Sequence, residues 1–252
     1  MTDIILSGCC GVMGKNIAQC IEKKDDCRIV AGIDIKSDDN SPFPIYKNAD
    51  NFTGKADVII DFSHPSALNS LLDYAVRTGT PAVISTTGLS PEQVALIHKA
   101  ATSVPIFFSA NMSLGVSLIT ELAQKAVKVL GDDFDIEIIE KHHNQKIDAP
   151  SGTALMLADA INSAADERYE YEYNRQAKRE KRKKNEIGIH AVRGGTIVGE
   201  HDVIFAGQDE IITISHSARS KQIFAVGSVN AALFIKDLAP GLYSMKDLVE
   251  AK

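Results

Sequence analysis

The first fourteen residues narrow the fold more than any other stretch. Ile4, Ile5 and Leu6 form a short apolar run, Gly8-Cys9-Cys10-Gly11-Val12-Met13-Gly14 follows, and a helical pattern occupies residues 13–23. Glycines between a strand and a helix permit a tight turn. They also let the backbone approach an anion where unpaired N–H groups and the helix dipole converge. The spacing is G-x-x-G-x-x-G rather than G-x-G-x-x-G, so the strand–turn–helix context, more than the motif, predicts a bound pyrophosphate. A second β-rich run over residues 28–35 places Asp34 at its end, twenty residues after Gly14. A carboxylate there can accept hydrogen bonds from an adenosine ribose and repels a 2′-phosphate, a repulsion that Lys36 can soften.

The alternation continues. Residues 56–62, 82–85 and 106–109 read as further strands, with helices predicted after Pro65 and from Pro91. Apolar strands alternating with helices predict a doubly wound α/β domain built on a parallel sheet. Ligands in such folds sit beyond the carboxyl ends of the strands. Ser85-Thr86-Thr87 and Ala110-Asn111-Met112-Ser113 stand at two of those ends. By composition they are ordinary turn residues. By position they are candidates to line a nicotinamide pocket.

The rhythm changes near residues 112–116. A helix is predicted over 117–130, a strand over 134–140 and a helix over 153–164; the polar stretch 165–185 reads as a loop. Strands over 187–192, 196–205 and 211–216 then follow without helices between them, before a helix over 225–235 and a short tail. Consecutive strands predict a second, mixed or antiparallel sheet.

The chain's 252 residues suit one large domain or two modest ones, and its net charge of −6 repels nucleic-acid phosphates overall. The basic run from Arg175 to Lys184, with seven bases and one Glu, is read as a solvated segment. Four cysteines, at 9, 10, 20 and 27, show no zinc-ligand or disulfide spacing. With no basic, cleavable apolar leader at the N-terminus, these features predict a cytoplasmic protein with no membrane and no nucleic-acid partner.

The segment Glu140-Lys141-His142-His143-Asn144-Gln145-Lys146-Ile147-Asp148-Ala149-Pro150-Ser151-Gly152-Thr153-Ala154 leads from a strand through a loop into a helix. Two histidines and a lysine within five residues supply groups that donate protons near neutral pH and bind carboxylates. Gly152 and Thr153 open the helix and offer N–H groups and a hydroxyl to an anion. Metal binding is not expected, since adjacent His142 and His143 point apart on an extended chain and no third ligand stands by.

From His142 to Ala154 the chain resembles the signature H-H-x-x-K-x-D-A-P-S-G-T-A of the dihydrodipicolinate (4-hydroxy-tetrahydrodipicolinate) reductases. The resemblance extends to the glycine loop, Thr86-Thr87-Gly88, the segment 110–113, the segment from Arg193 to His201, and the closing Gly241-Leu242-Tyr243-Ser244-Met245. It implies NAD(P)H-dependent reduction of 4-hydroxy-tetrahydrodipicolinate to tetrahydrodipicolinate in lysine and diaminopimelate synthesis. By the same resemblance His142 and Lys146 are the proton donors, and His143, Gly152 and Thr153 bind the substrate carboxylates. Gly8, Cys9, Cys10, Gly11, Val12, Met13, Asp34, Ser85, Thr86, Thr87, Ala110, Asn111, Met112 and Ser113 bind the cofactor. The implied architecture is a Rossmann-like domain, residues 1–112 and 222–252, plus an α+β substrate and tetramerisation domain, residues 113–221. Val12 and Ile35 stand where members of the family carry Arg, which makes NADH at least as well supported as NADPH. Ser85 replaces a common Gly, and either Lys221 or Arg219 stands for an Arg near the second crossover.

Overall fold

The computed structural model describes residues 1–251; Lys252, the last residue of the expected C-terminal return, lies outside the described residues. The chain divides into two compact units, one comprising Met1–Leu114 and the segment from Lys221 onward, the other Gly115–Ser220.

The first unit is a seven-stranded parallel sheet. Its strands are β1 (Thr2–Ser7), β2 (Cys27–Ile33), β3 (Ile45–Tyr46), β4 (Val58–Asp61), β5 (Ala82–Ile84), β6 (Pro105–Phe108) and, from the C-terminal return, β12 (Gly241–Tyr243). Their order is β12-β6-β5-β4-β1-β2-β3. Strand periodicity sends alternate residues to opposite faces. Ile4, Leu6, Val58 and Ile60 therefore pack beneath α1 (Val12–Glu22) and the returning helices α6 (Gln222–Ile235) and α7 (Met245–Glu250). Ile5, Ile59 and Ile84 pack beneath α2 (Leu68–Thr78) and α3 (Pro91–Ala100). Helix α3 starts where Ser90 and Gln93 form a reciprocal capping box ahead of Pro91. Short β3, β12 and helix α7 were not expected from sequence. The two strands have two and three residues, too few for a period-2 pattern to register.

The second unit holds α4 (Leu114–Leu130), which begins in the first, then β7 (Asp135–His142), α5 (Gly152–Ser163), β8 (Glu170–Glu172), β9 (Glu186–Arg193), β10 (Gly199–Ala206) and β11 (Ile211–Ala218). Its sheet order is β11-β10-β7-β9-β8. Strand β7 runs parallel to β9 and antiparallel to β10, so the sheet is mixed, as the sequence predicts. Residues 165–185 are not wholly loop, because β8 pairs with β9 there. The basic run is not simply solvated. Arg175 meets Glu186 at 2.7 Å, Lys178 pairs with Glu172, and Arg182 meets Asp135 at 2.9 Å and Glu137 at 3.0 Å. Among the described residues no helix is long and apolar enough to cross a membrane.

Candidate active site

The glycine turn is built as its spacing suggests. Gly8 takes φ +77°, and a Cβ there would lie 2.5 Å from the Phe62 carbonyl oxygen. That backbone is open to glycine and strained for other residues. Gly14 has no room for a side chain either, because the Gly8 and Cys9 backbones press against it. Helix α1 starts at Val12 behind Gly11, with no side chain capping it. Its first-turn N–H groups are thus available in kind to an anion.

Asp34 lies one residue beyond the end of β2. Its Oδ2 accepts from the Cys10 N–H at 2.9 Å, and its Oδ1 from the Lys36 N–H at 3.0 Å. The loop and the carboxylate are therefore held in one piece, with lone pairs remaining for a diol. Burial pushes the neighbouring Cys9 thiol up to about 12, with Cys10 adding to the effect. Val12 in the glycine loop and Ile35 next to this acid are both exposed, and neither carries charge.

A cavity of about 410 Å³ joins the glycine loop to the ends of β5 and β6. Gly11, Val12 and Met13 line it with Ser85, Thr86, Thr87, Ala110 and Met112. Phe62, Ser63, Lys221 and Phe224 complete the wall, of which only Lys221 had a sequence signal. Asn111 and Ser113 do not line it; the Asn111 side chain accepts from the Ser113 N–H at 3.0 Å and shapes the turn. The Thr86 hydroxyl is spent on the fully buried Asp61 carboxylate at 2.6 Å. The Ser85 hydroxyl is buried with no partner. An unpaired buried hydroxyl facing a cleft is costly unless a ligand amide or carbonyl satisfies it. The glycine cradle, the anchored acid and this orphaned hydroxyl fit a pyridine dinucleotide.

The second unit carries His142, His143 and Lys146. Strand β7 extends through His142, beyond the Glu140 end expected from sequence, because Lys141 and His142 continue the ladder opposite Val192 and Arg193. Alternation puts Ile136, Ile138, Glu140 and His142 on one buried face. His142 is therefore a strand residue, whereas His143 and Lys146 lie in the loop beyond. His142 Nδ1 meets Glu140 Oε2 at 2.6 Å. Arg193 donates to both Glu140 oxygens, at 2.8 and 2.7 Å. The Ser151 N–H donates to Oε1 at 3.0 Å. Burial pushes the Glu140 carboxyl upward, but Arg193, His142 and the Ser151 N–H more than offset it, so it sits below the ordinary range and is ionised.

Ser151 is the N-cap of α5, its hydroxyl accepting from the Ala154 N–H at 3.2 Å. That hydroxyl also lies 3.0 Å from His201 Nε2. Burial, then the nearby His142, lower His201 to about 4, so its ring is neutral at pH 7. Gly152 and Thr153 form the first turn of α5 behind this cap, and Lys146 Nζ pairs with Asp148 at 2.9 Å. Residue reasoning gave Glu140, Arg193, Ser151 and His201 no role. Glu140 stood in the quoted segment, but its burial depends on partners dozens of positions away.

Family profiles described as dihydrodipicolinate reductase, N-terminus, and dihydrodipicolinate reductase, C-terminus, match residues 2–112 and 115–249. The chain is 52% identical over 250 residues to the 4-hydroxy-tetrahydrodipicolinate reductase of Caldanaerobacter subterraneus subsp. tengcongensis, covering 99% of both chains. It is 50% identical to the enzyme of the same name from Clostridium tetani, covering 97% of this chain and 96% of the other. Among solved structures, a dipicolinate-bound dihydrodipicolinate reductase from Paenisporosarcina sp. TG-14 superposes with a TM-score of 0.83 at 24% identity, covering 97% of each chain. A Corynebacterium glutamicum diaminopimelate dehydrogenase shares the fold at a TM-score of 0.61 and 11% identity.

Proposed function

This chain belongs to the dihydrodipicolinate reductase family, and from that premise we propose that it reduces 4-hydroxy-tetrahydrodipicolinate to tetrahydrodipicolinate in lysine and diaminopimelate biosynthesis. Its cofactor is a pyridine nucleotide, which when bound supplies the hydride. The observation that carries the reading is the end of β7. There an ionised carboxylate holds His142 and the cap of α5 together, beside Lys146.

The residues divide the work. His142 and Lys146 are the proton donors. His143 and the N–H groups and hydroxyl of Gly152 and Thr153 take the substrate carboxylates, where the helix start favours negative charge. Gly8 to Met13 cradle the pyrophosphate and Asp34 takes the ribose. Ser85 to Thr87, Ala110 and Met112 surround the nicotinamide end, and Asn111 and Ser113 shape that turn. NADH is at least as good a donor as NADPH, because Asp34 is held facing the ribose position and uncharged Val12 and Ile35 offer a 2′-phosphate no cation. The first unit is the dinucleotide domain, and the second binds substrate and assembles a homotetramer. In support of assembly, Ile211 and Ile212 are exposed on edge strand β11 at 69% and 37%. Four free thiols suit a cytoplasmic setting.

The test follows absorbance of NADH and NADPH in parallel, with enzymatically generated substrate. Oxidation of either supports the reading, and oxidation of neither ends it. His142→Ala and Lys146→Ala should lower turnover about 10²–10⁴-fold, the range of general acid catalysis, with cofactor affinity unchanged.

A further inference from the structure

The reductase reading names proton donors but does not say which nitrogen of His142 carries the proton, and the fully buried, ionised Glu140 bears on that. We propose that Glu140 is a positioning residue for the reduction: it holds His142 as an Nδ1–H imidazole whose Nε2 delivers the proton, and it ties that ring to the anion cradle of α5. The inference rests on the reductase reading above.

The geometry leaves little choice of hydrogen position. Four donors converge on two oxygens: His142 Nδ1 and Arg193 Nη1 on Oε2, Arg193 Nη2 and the Ser151 N–H on Oε1. An ionised carboxylate only accepts. The ring nitrogen 2.6 Å from it must therefore carry hydrogen. Nε2 becomes the nitrogen that gains and loses the proton. Gly199 leaves it room, since a Cβ there would lie 3.0 Å from Nε2.

The charges around His142 within the second unit support this role. Glu140 stands on its own strand, Arg193 on β9, and His201 on β10 with ring centroids 5.2 Å apart. Lys146 and Asp148 pair with each other in the following loop. Glu140 and Arg193 cancel in charge, and His201, whose Nε2 lies 3.0 Å from the Ser151 hydroxyl, is neutral because burial disfavours its charged form. His142 is the ring with an anion in contact at Nδ1. The imidazolium gives up Nε2–H as the proton that completes the reduction, and Nδ1–H stays on Glu140. Water then returns a proton to Nε2.

Arg193 extends the anchoring. Its Nη2 also donates to the Asp148 carbonyl at 2.7 Å, so one ion pair fixes both ends of the loop that carries His143 and Lys146.

Two measurements decide the proposal. The first is nitrogen-15 NMR of the free wild-type protein, with the His142 ring assigned by its loss in His142→Gln. At high pH the neutral ring must be the Nδ1–H tautomer; an Nε2–H tautomer overturns the proposal without substrate or cofactor. The second is kinetics of Glu140→Gln. We expect kcat to fall about tenfold or more, within what a general acid contributes, while NADH affinity stays unchanged. The limb along which activity is lost as pH rises should move to lower pH by about one unit, since an opposite charge in contact stabilises the cation. Glu140→Asp keeps the charge and should return that limb toward its wild-type position. A lowered melting temperature with an unmoved limb would mean a purely structural carboxylate and would overturn the role. Absence of turnover in the wild type would instead remove the reductase reading, leaving the tautomer result to judge the geometry.

Discussion

At the scale of single residues, two positions carry sharp consequences. Gly8 combines a left-handed φ of +77° with carbonyl contact behind it. A methyl group there adds roughly 1–2 kcal/mol of backbone strain before any clash is counted. Gly8→Ala should therefore weaken NADH binding at least tenfold, read by quenching or enhancement of cofactor fluorescence, with the second unit's circular dichroism intact. His201 governs an acid limb of stability. Its folded value, about 4, lies below the ordinary histidine value of 6.5. Between those values the unfolded chain binds the proton and the folded chain does not. Stability is then full above about pH 6.5 and is lost as pH falls toward 4, by up to about 3 kcal/mol from this group. Glu140, also lowered, adds a loss of the same sign further down. Melting temperatures across this window should fall on acidification, and His201→Gln should flatten the decline. An unchanged slope in that variant would discard the assignment.

At the scale of elements, α5 and β7 are joined at one serine. The Ser151 hydroxyl caps α5 and supplies the partner of His201 Nε2, while its N–H meets Glu140. Losing an N-cap hydroxyl costs about 1 kcal/mol, and orphaning a buried ring nitrogen adds roughly 1–3 kcal/mol. Ser151→Ala should therefore destabilise the chain by more than a cap alone, measured by urea denaturation. Ser151→Thr keeps the hydroxyl and should recover most of the loss. The same logic explains why His142, polar and at a strand end, is still a strand residue. Pairing with β9 on one side and β10 on the other carries the ladder past Glu140.

At the scale of the whole molecule, the C-terminal return completes the first unit. Helix α6 buries Ala225, Val229, Ala231, Ala232 and Ile235 against the β1 and β4 side of the sheet. Gly227 packs on the Met112 carbonyl, which fixes part of the cavity wall. Burying Val229 and Ile235 contributes roughly 1.5–3 kcal/mol each. A domain's whole stability is about 5–15 kcal/mol. A chain ending at Ser220 should lose cooperative unfolding of the first unit and NADH binding with it. Retention of both would show that the first unit's core closes without α6.

The division between what the sequence determined and what the tertiary structure decided follows range. Local periodicity and turn chemistry determined the parallel α/β sheet, the glycine turn, the placement of Asp34 and the opening of α5 at Gly152 and Thr153, because each depends on neighbours within a turn or a strand. The signature from His142 to Ala154 determined the family. Strands of two or three residues, β3, β8 and β12, carry too little pattern and exist because longer strands offer them an edge. Glu140 and Arg193 are 53 positions apart, and Ser151 and His201 are 50 apart. Only the mixed sheet brings them together. A buried carboxylate is stable where its partners are, and in this chain those partners come from strands that the local sequence around Glu140 does not contain.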